Sequence, residues 1–273
     1  MIKKLYNNGF ILCFHEIEIK KYEYFIKFLL KFFTPITLNQ FVKNIHNKKS
    51  LKNKFVITFD DGWKQTSIGV INHSINSNIP ITLYVPTIIL DGVTKLWFED
   101  FDEKIKFLKK YNKLSVPLDR FKTILKNSNH NESNNHFEDY YAYHKNKRNS
   151  FIDKNFIRDI NNNNISFQSH THDHQSITSQ TDEQILSQFK TSKNILENLT
   201  QKSVDHLCYP YGLLSDIGNQ GVEVSKSFFK SAVTMQRAKI NFNSNLHLLP
   251  RISLYNKDNI FSLFAKIISA KTI

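Results

Sequence analysis

Short apolar blocks alternate with helix-spaced segments along the 273 residues. Phe10–Phe14 (FILCF) and Phe55–Phe59 (FVITF) are unbroken apolar runs of strand length, the pattern of strands buried on both faces. Strands are also predicted over Pro80–Pro86, Ile165–Ser169, His206–Tyr209, Ser231–Thr234 and Leu248–Leu254. Helical spacing runs through Lys20–Phe33 and Ser67–Ser77. Thr181 and Gln184 have capping-box spacing and open a helix to about Leu199; Ser225–Lys230 closes another. The recurring unit of strand, loop and helix predicts an α/β fold.

One region breaks the rhythm. From about Lys95 to Ile160 the chain is polar and rich in Asn, Lys and Tyr, which predicts an insertion within a single domain spanning 1–273. A helix is expected at Asp100–Lys110 and a mobile loop at Asn127–Asn135.

Composition fits a folded, aromatic-rich interior: hydrophobic residues are 40% and Phe alone numbers 23. Lys and Arg outnumber Asp and Glu by 37 to 24, a formal charge of +13 that fits anionic surroundings, but many of these lysines sit among asparagines in polar stretches, and compositional bias is the first reading of the excess. No Arg-rich helix or RNA-binding signature accompanies the charge, so no nucleic-acid partner is expected. The two cysteines, Cys13 and Cys208, make no disulfide framework. The apolar run Gly9–Phe14 is too short for an export leader, so a cytoplasmic protein is expected. The amphipathic C-terminal segment IFSLFAKIISAKTI reads as a closing core helix, with peripheral contact at the inner membrane face as the other reading.

Three segments carry candidate chemistry. In Thr58-Phe59-Asp60-Asp61-Gly62, two carboxylates follow a buried strand and a glycine lets the backbone turn. Both can reach one cleft if a cation takes one carboxylate and a proton or an Arg serves the other. Alone, Asp-Asp-Gly equally fits a surface turn. In His170-Thr171-His172-Asp173-His174, spacing i, i+4 places His170 and His174 on one face of a helical turn, which suits zinc, with His172 pointing elsewhere; a polar loop that happens to be His-rich is the other reading. In Cys208-Tyr209-Pro210-Tyr211-Gly212, a strand runs into a Pro-aromatic-Gly bend that could offer a backbone N–H and a flat ring to a sugar, or be a simple turn.

In order and strand-end context these segments resemble the polysaccharide deacetylase family. Ile11–Ile17, Leu96-Trp97-Phe98, Val204–Gly212 and Leu249-Pro250-Arg251-Ile252 extend the likeness over most of the chain outside the insertion. The resemblance implies a distorted (β/α) barrel of parallel strands and hydrolysis of N-acetyl groups on sugars. It implies Asp60 as catalytic base, and Asp61, His170 and His174 as ligands of a divalent metal, usually zinc. It implies the Tyr211 backbone N–H as oxyanion donor.

The departures from the family pattern matter too. Many members carry Arg at the start of the third motif, where this chain has Cys208; Arg251 is the candidate to orient the base, with a surface Arg as the alternative. A late Leu-x-x-His motif that supplies a general acid is missing. His247 has the wrong spacing, and His15 fits a cleft residue and a structural histidine equally, so the acid is unassigned. The function expected is removal of an N-acetyl group from an amino sugar of a cell-envelope glycan or its lipid-linked precursor. A sugar-binding descendant that has lost catalysis is the alternative.

Overall fold

The computed structural model describes residues 8–144 and 150–272. The strands are β1 (Phe10–Phe14), β2 (Thr34–Pro35), β3 (Lys54–Phe59), β4 (Ile81–Val85), β5 (Ile165–Ser169), β6 (His206–Cys208), β7 (Ser231–Val233), β8 (Ala238–Lys239), β9 (Ile252–Ser253) and β10 (Lys271–Thr272). Between them run α1 (Ile19–Leu29), α2 (Leu38–His46), α3 (Lys64–Ser77), α4 (Phe101–Lys110), α5 (Leu118–Asn127), α6 (His130–Asn135), α7 (Glu138–Tyr143), α8 (Lys154–Asp159), α9 (Asp182–Thr200), α10 (Leu214–Phe228) and α11 (Ile260–Ser269).

The main sheet runs β7-β6-β5-β4-β3-β1-β9, every pair parallel, with β2 appended to β3. Its two ends are joined by one segment. Leu249 bridges to Val233 of β7, and a few residues on Ile252 pairs with Leu12 of β1. The sheet therefore curls into a barrel whose closing seam rests on a few residues. The distorted (β/α) barrel of parallel strands is borne out. The expected strand at Leu248–Leu254 shrinks to Ile252–Ser253, because the segment spends its hydrogen bonds on two different neighbours.

Strand alternation sorts the side chains between two cores. Phe10, Leu12 and Phe14 of β1 and Phe55, Ile57 and Phe59 of β3 pack outward under the helices. Ile11, Val56, Tyr84, Cys208, Val233 and Leu249 face the barrel interior. Leu38, Phe41, Val42 and Ile45 of α2 pack into that same inner core and plug the barrel. By the same two-residue period, Thr58 and Asp60 follow Val56, and Arg251 follows Leu249, on the inward face.

The Thr181–Gln184 capping box forms as expected and starts α9. The 95–160 region is more ordered than its composition predicts. Asn127–Asn135, expected as a mobile loop, holds α6, which Asn129 and Glu132 start with a reciprocal capping box. Ile105, Leu108, Phe121, Leu125, Phe137 and Tyr140 give these helices a small core of their own. Among the described residues no helix is long and apolar enough to cross a membrane.

Candidate active site

The site lies where β1, β3, β5 and β6 end. Asp60 directly follows β3, and its backbone N–H donates to the Phe14 carbonyl at 2.9 Å, extending the ladder one residue past the strand. The chain then turns through positive φ at Asp61 (68°) and Gly62 (73°). That turn is what lets two adjacent carboxylates, which a regular strand would send to opposite faces, share one cleft.

The histidine segment departs from expectation. His170 and His174 do not sit on a helical turn: the segment is a loop, with left-handed backbone at Thr171 (φ 65°) and His174 (φ 62°). Side chains brace it instead. Gln188 of α9 accepts from the backbone N–H groups of His172 and Asp173 at 3.0 Å each, and Thr171 Oγ1 accepts from His174 N. His172 does point elsewhere, with Nδ1 2.8 Å from Thr87 Oγ1. Tyr211 (φ 60°) is a further left-handed residue at the site, so backbone strain clusters there.

The Nε2 atoms of His170 and His174 each lie 3.4 Å from Asp61 Oδ1. One ligand atom from each of these three buried residues falls within 4.8 Å of the others. His170 Nδ1 is 2.8 Å from the Cys208 carbonyl, an acceptor, so Nδ1 carries a proton and Nε2 is the ring atom turned to Asp61. Two imidazole nitrogens thus meet a carboxylate in a buried spot, a donor arrangement suited to a cation. The donor set fits a divalent metal with open coordination positions. Burial would raise the Asp61 carboxyl, but the two imidazoles hold it well below the usual carboxylate range. Burial keeps His174 below its ordinary value, in the neutral form a metal requires.

Asp60 has a different partner. Arg251 donates to its two oxygens at 2.7 Å each, a bidentate pair inside the barrel. The guanidinium also donates to the Thr234 carbonyl, Thr58 Oγ1 and Cys208 Sγ, at 3.0, 3.1 and 3.1 Å. Burial pushes the Asp60 carboxyl up; the Arg251 charge and hydrogen bonds outweigh it and bring it down to about 2. His15, at the rim, has Nε2 3.7 Å from Asp60 Oδ2. His247 is engaged elsewhere, with Nδ1 2.8 Å from Ser225 Oγ.

Asp60, Asp61, His170, His174, Tyr211 and Arg251 all line one cavity of about 270 Å³, together with His15, Trp97, Phe98, Tyr209 and Met235. Reading residue types alone missed several neighbours. Trp63 donates from Nε1 to Asp61 Oδ2 at 3.2 Å. Trp97 lies near-parallel to the Tyr211 ring and donates to its hydroxyl at 3.0 Å. Lys126, from α5, sits 4.9 Å from the Tyr211 ring centre and pairs with Asp216. Trp97 entered the sequence reading only through its resemblance segment, and Lys126 carries no local signal because α5 brings it to the site.

The model of the family described as polysaccharide deacetylase matches residues 121–223, a stretch that holds both histidines and Tyr211. The fold is that of the polysaccharide deacetylases, and the family resemblance read from the sequence is borne out. A deacetylase from Streptococcus pyogenes, PplD, solved in complex with acetate, is 12% identical with TM-score 0.65, over 96% of this chain and 98% of that one. BC0361, a polysaccharide deacetylase from Bacillus cereus, is 16% identical with TM-score 0.66, over 96% of this chain and 69% of that one. IcaB from Ammonifex degensii is 13% identical with TM-score 0.66, over 96% and 97%. No curated protein matches the sequence.

Proposed function

We propose that the chain is, as one domain with an inserted region, a metal-dependent hydrolase. It removes the N-acetyl group from an amino sugar of a cell-envelope polysaccharide or its lipid-linked precursor. The observation that carries this reading is the convergence of Asp61, His170 and His174 beside an Asp60 held by Arg251. Asp61, His170 and His174 would hold the metal, with zinc first among candidates for a two-His, one-carboxylate set. When bound, the metal supplies Lewis acidity, polarising the acetyl carbonyl and acidifying a water at the site.

Asp60, ionised at neutral pH, takes the water's proton as attack begins. Arg251 fixes the carboxylate's plane and keeps it charged, acting as a positioning residue. The backbone N–H of Tyr211 donates to the oxygen that gains charge in the tetrahedral state. The Trp97 and Tyr211 rings form an apolar wall on which a pyranose face can rest.

The test is acetate release from N-acetylglucosamine and N-acetylgalactosamine oligomers by zinc-loaded protein, chelated protein and Asp60→Asn. Release that needs both metal and Asp60 supports the reading. Stoichiometric zinc with no release from any acetylated sugar favours the alternative, a sugar-binding protein without catalysis; no metal binding at all overturns the assignment of the ligands.

A further inference from the structure

Helices α1 and α11 lie side by side on the outer wall of the barrel, joined by Phe28 and Phe264, whose rings are 6.3 Å apart and nearly perpendicular. Each helix buries one face: Tyr22, Phe25, Ile26 and Leu29 on α1, Leu263 and Ile267 on α11. Each also carries a second apolar stripe that the barrel covers only in part, Phe28 and Ile268 resting against the core. On α11 it is Phe261, Phe264 and Ile268, at spacing i, i+3, i+7. On α1 it is Tyr24 and Phe28, continued just past the helix by Phe32, whose ring is 5.5 Å from that of Phe28.

Phe261 is 86% exposed, Tyr24 58% and Phe32 49%. Single exposed rings are ordinary on a protein surface, whereas a continuous strip marks a contact. Exposed Lys20, Lys27 and Lys31 border the strip on its α1 side.

We propose that this face docks onto an anionic phospholipid surface. The rings would sit at headgroup depth and the lysines against lipid phosphates. Charge separates this occupant from a second copy of the chain. Two copies meeting through the strip would bring their lysine borders together, a like-charge juxtaposition. An anionic bilayer satisfies the apolar and the basic part at once, in keeping with a net charge of +13. Docking would also place the cleft, since α11 begins beyond β9 at the end of the barrel where the site opens. The proposal does not depend on the deacetylase reading.

The experiment is co-sedimentation with vesicles of phosphatidylcholine alone or mixed with phosphatidylglycerol. The proteins are wild type, the pair Phe32→Ser/Phe261→Ser and the pair Lys27→Glu/Lys31→Glu. All four side chains are exposed, and unchanged thermal melts verify that the variants fold. Wild type is expected to bind the anionic vesicles, less so as salt rises, and to ignore the neutral ones. The Phe pair should weaken binding at least about tenfold, the scale of losing one partly buried ring. The Lys pair should weaken it by about 25-fold or more, at about fivefold or more per residue. No binding to anionic vesicles at low salt overturns the proposal, as does binding indifferent to the Phe pair. A wild-type dimer that the Phe pair dissociates, without vesicle binding, assigns the face to a second copy instead.

Discussion

Arg251 and Asp60, 191 residues apart, meet through two hydrogen bonds of 2.7 Å inside the barrel. Arg251 comes from the segment that closes the barrel, and Asp60 from the end of a central strand. The pairing leaves Asp61, the very next residue, to the histidines.

Replacing Arg251 leaves Asp60 buried without its countercharge. Arg251→Met should therefore raise the Asp60 pKa from about 2, since burial, which pushes it upward, is then unopposed by the guanidinium. The acid limb of kcat/KM should move to higher pH, and stability should drop by about 3–5 kcal/mol, the cost of breaking a buried pair from one side. The shift in the pH profile separates positioning from mere structural loss. Arg251→Lys should restore charge but not the fork, recovering stability more than rate.

Metal binding can be followed without activity. Zinc should bind at one equivalent and raise the melting temperature, because it binds the folded state alone. His170→Ala and His174→Ala should each abolish most of that rise. Asp60→Asn should keep it while lowering acetate release by about 10²–10⁴-fold, the usual worth of a general base. Retained thermal stabilisation in His170→Ala would refute the ligand assignment.

The bend at Gly212 leaves no room for a side chain. A Cβ there would lie 2.7 Å from Met235 Cγ and 2.8 Å from the Met235 backbone nitrogen, at a φ of +69°. Gly212→Ala should cost about 1–3 kcal/mol from strained backbone, and shift Tyr211 with it. Trp97→Phe removes the 3.0 Å bond to the Tyr211 hydroxyl while keeping a ring, and should lower kcat more than it changes KM. Equal kcat in Trp97→Phe and wild type would show that Tyr211 needs no such anchor.

His206 offers a stability test away from the metal. Its buried ring lies 2.9 Å from both Ser231 Oγ and Asn39 Oδ1, and burial lowers its pKa from 6.5 to about 4. The unfolded chain takes up a proton below about pH 6.5, while the folded chain resists until about pH 4. His206 thus favours the folded state fully above pH 6.5, and this contribution is lost as pH falls towards 4, by about 3 kcal/mol in all. His206→Gln should flatten that part of the melting profile between pH 7 and 4.5, read as wild type minus variant.

Local pattern determined much of this protein. Unbroken apolar runs such as Phe10–Phe14 and Phe55–Phe59 specify strands buried on both faces, and Asp60-Asp61-Gly62 after one of them specifies carboxylates at a strand end. The residues that now line the cavity were legible as chemistry before they were legible as neighbours. Spacing misled at His170 and His174, because i, i+4 is shared by helical turns and by a loop braced through Gln188. Composition misled at Asn127–Asn135, where a capping box and the packing of neighbouring helices outweigh polarity. Only the closed barrel decided that Arg251 reaches Asp60, that Cys208 packs beneath it and that Lys126 of α5 leans on Tyr211. Those contacts join segments far apart in the chain, and no local pattern encodes which strand ends will share one rim. Barrel closure sets that, through the ring order of the strands and the two-residue alternation that turns Asp60 and Arg251 inward together.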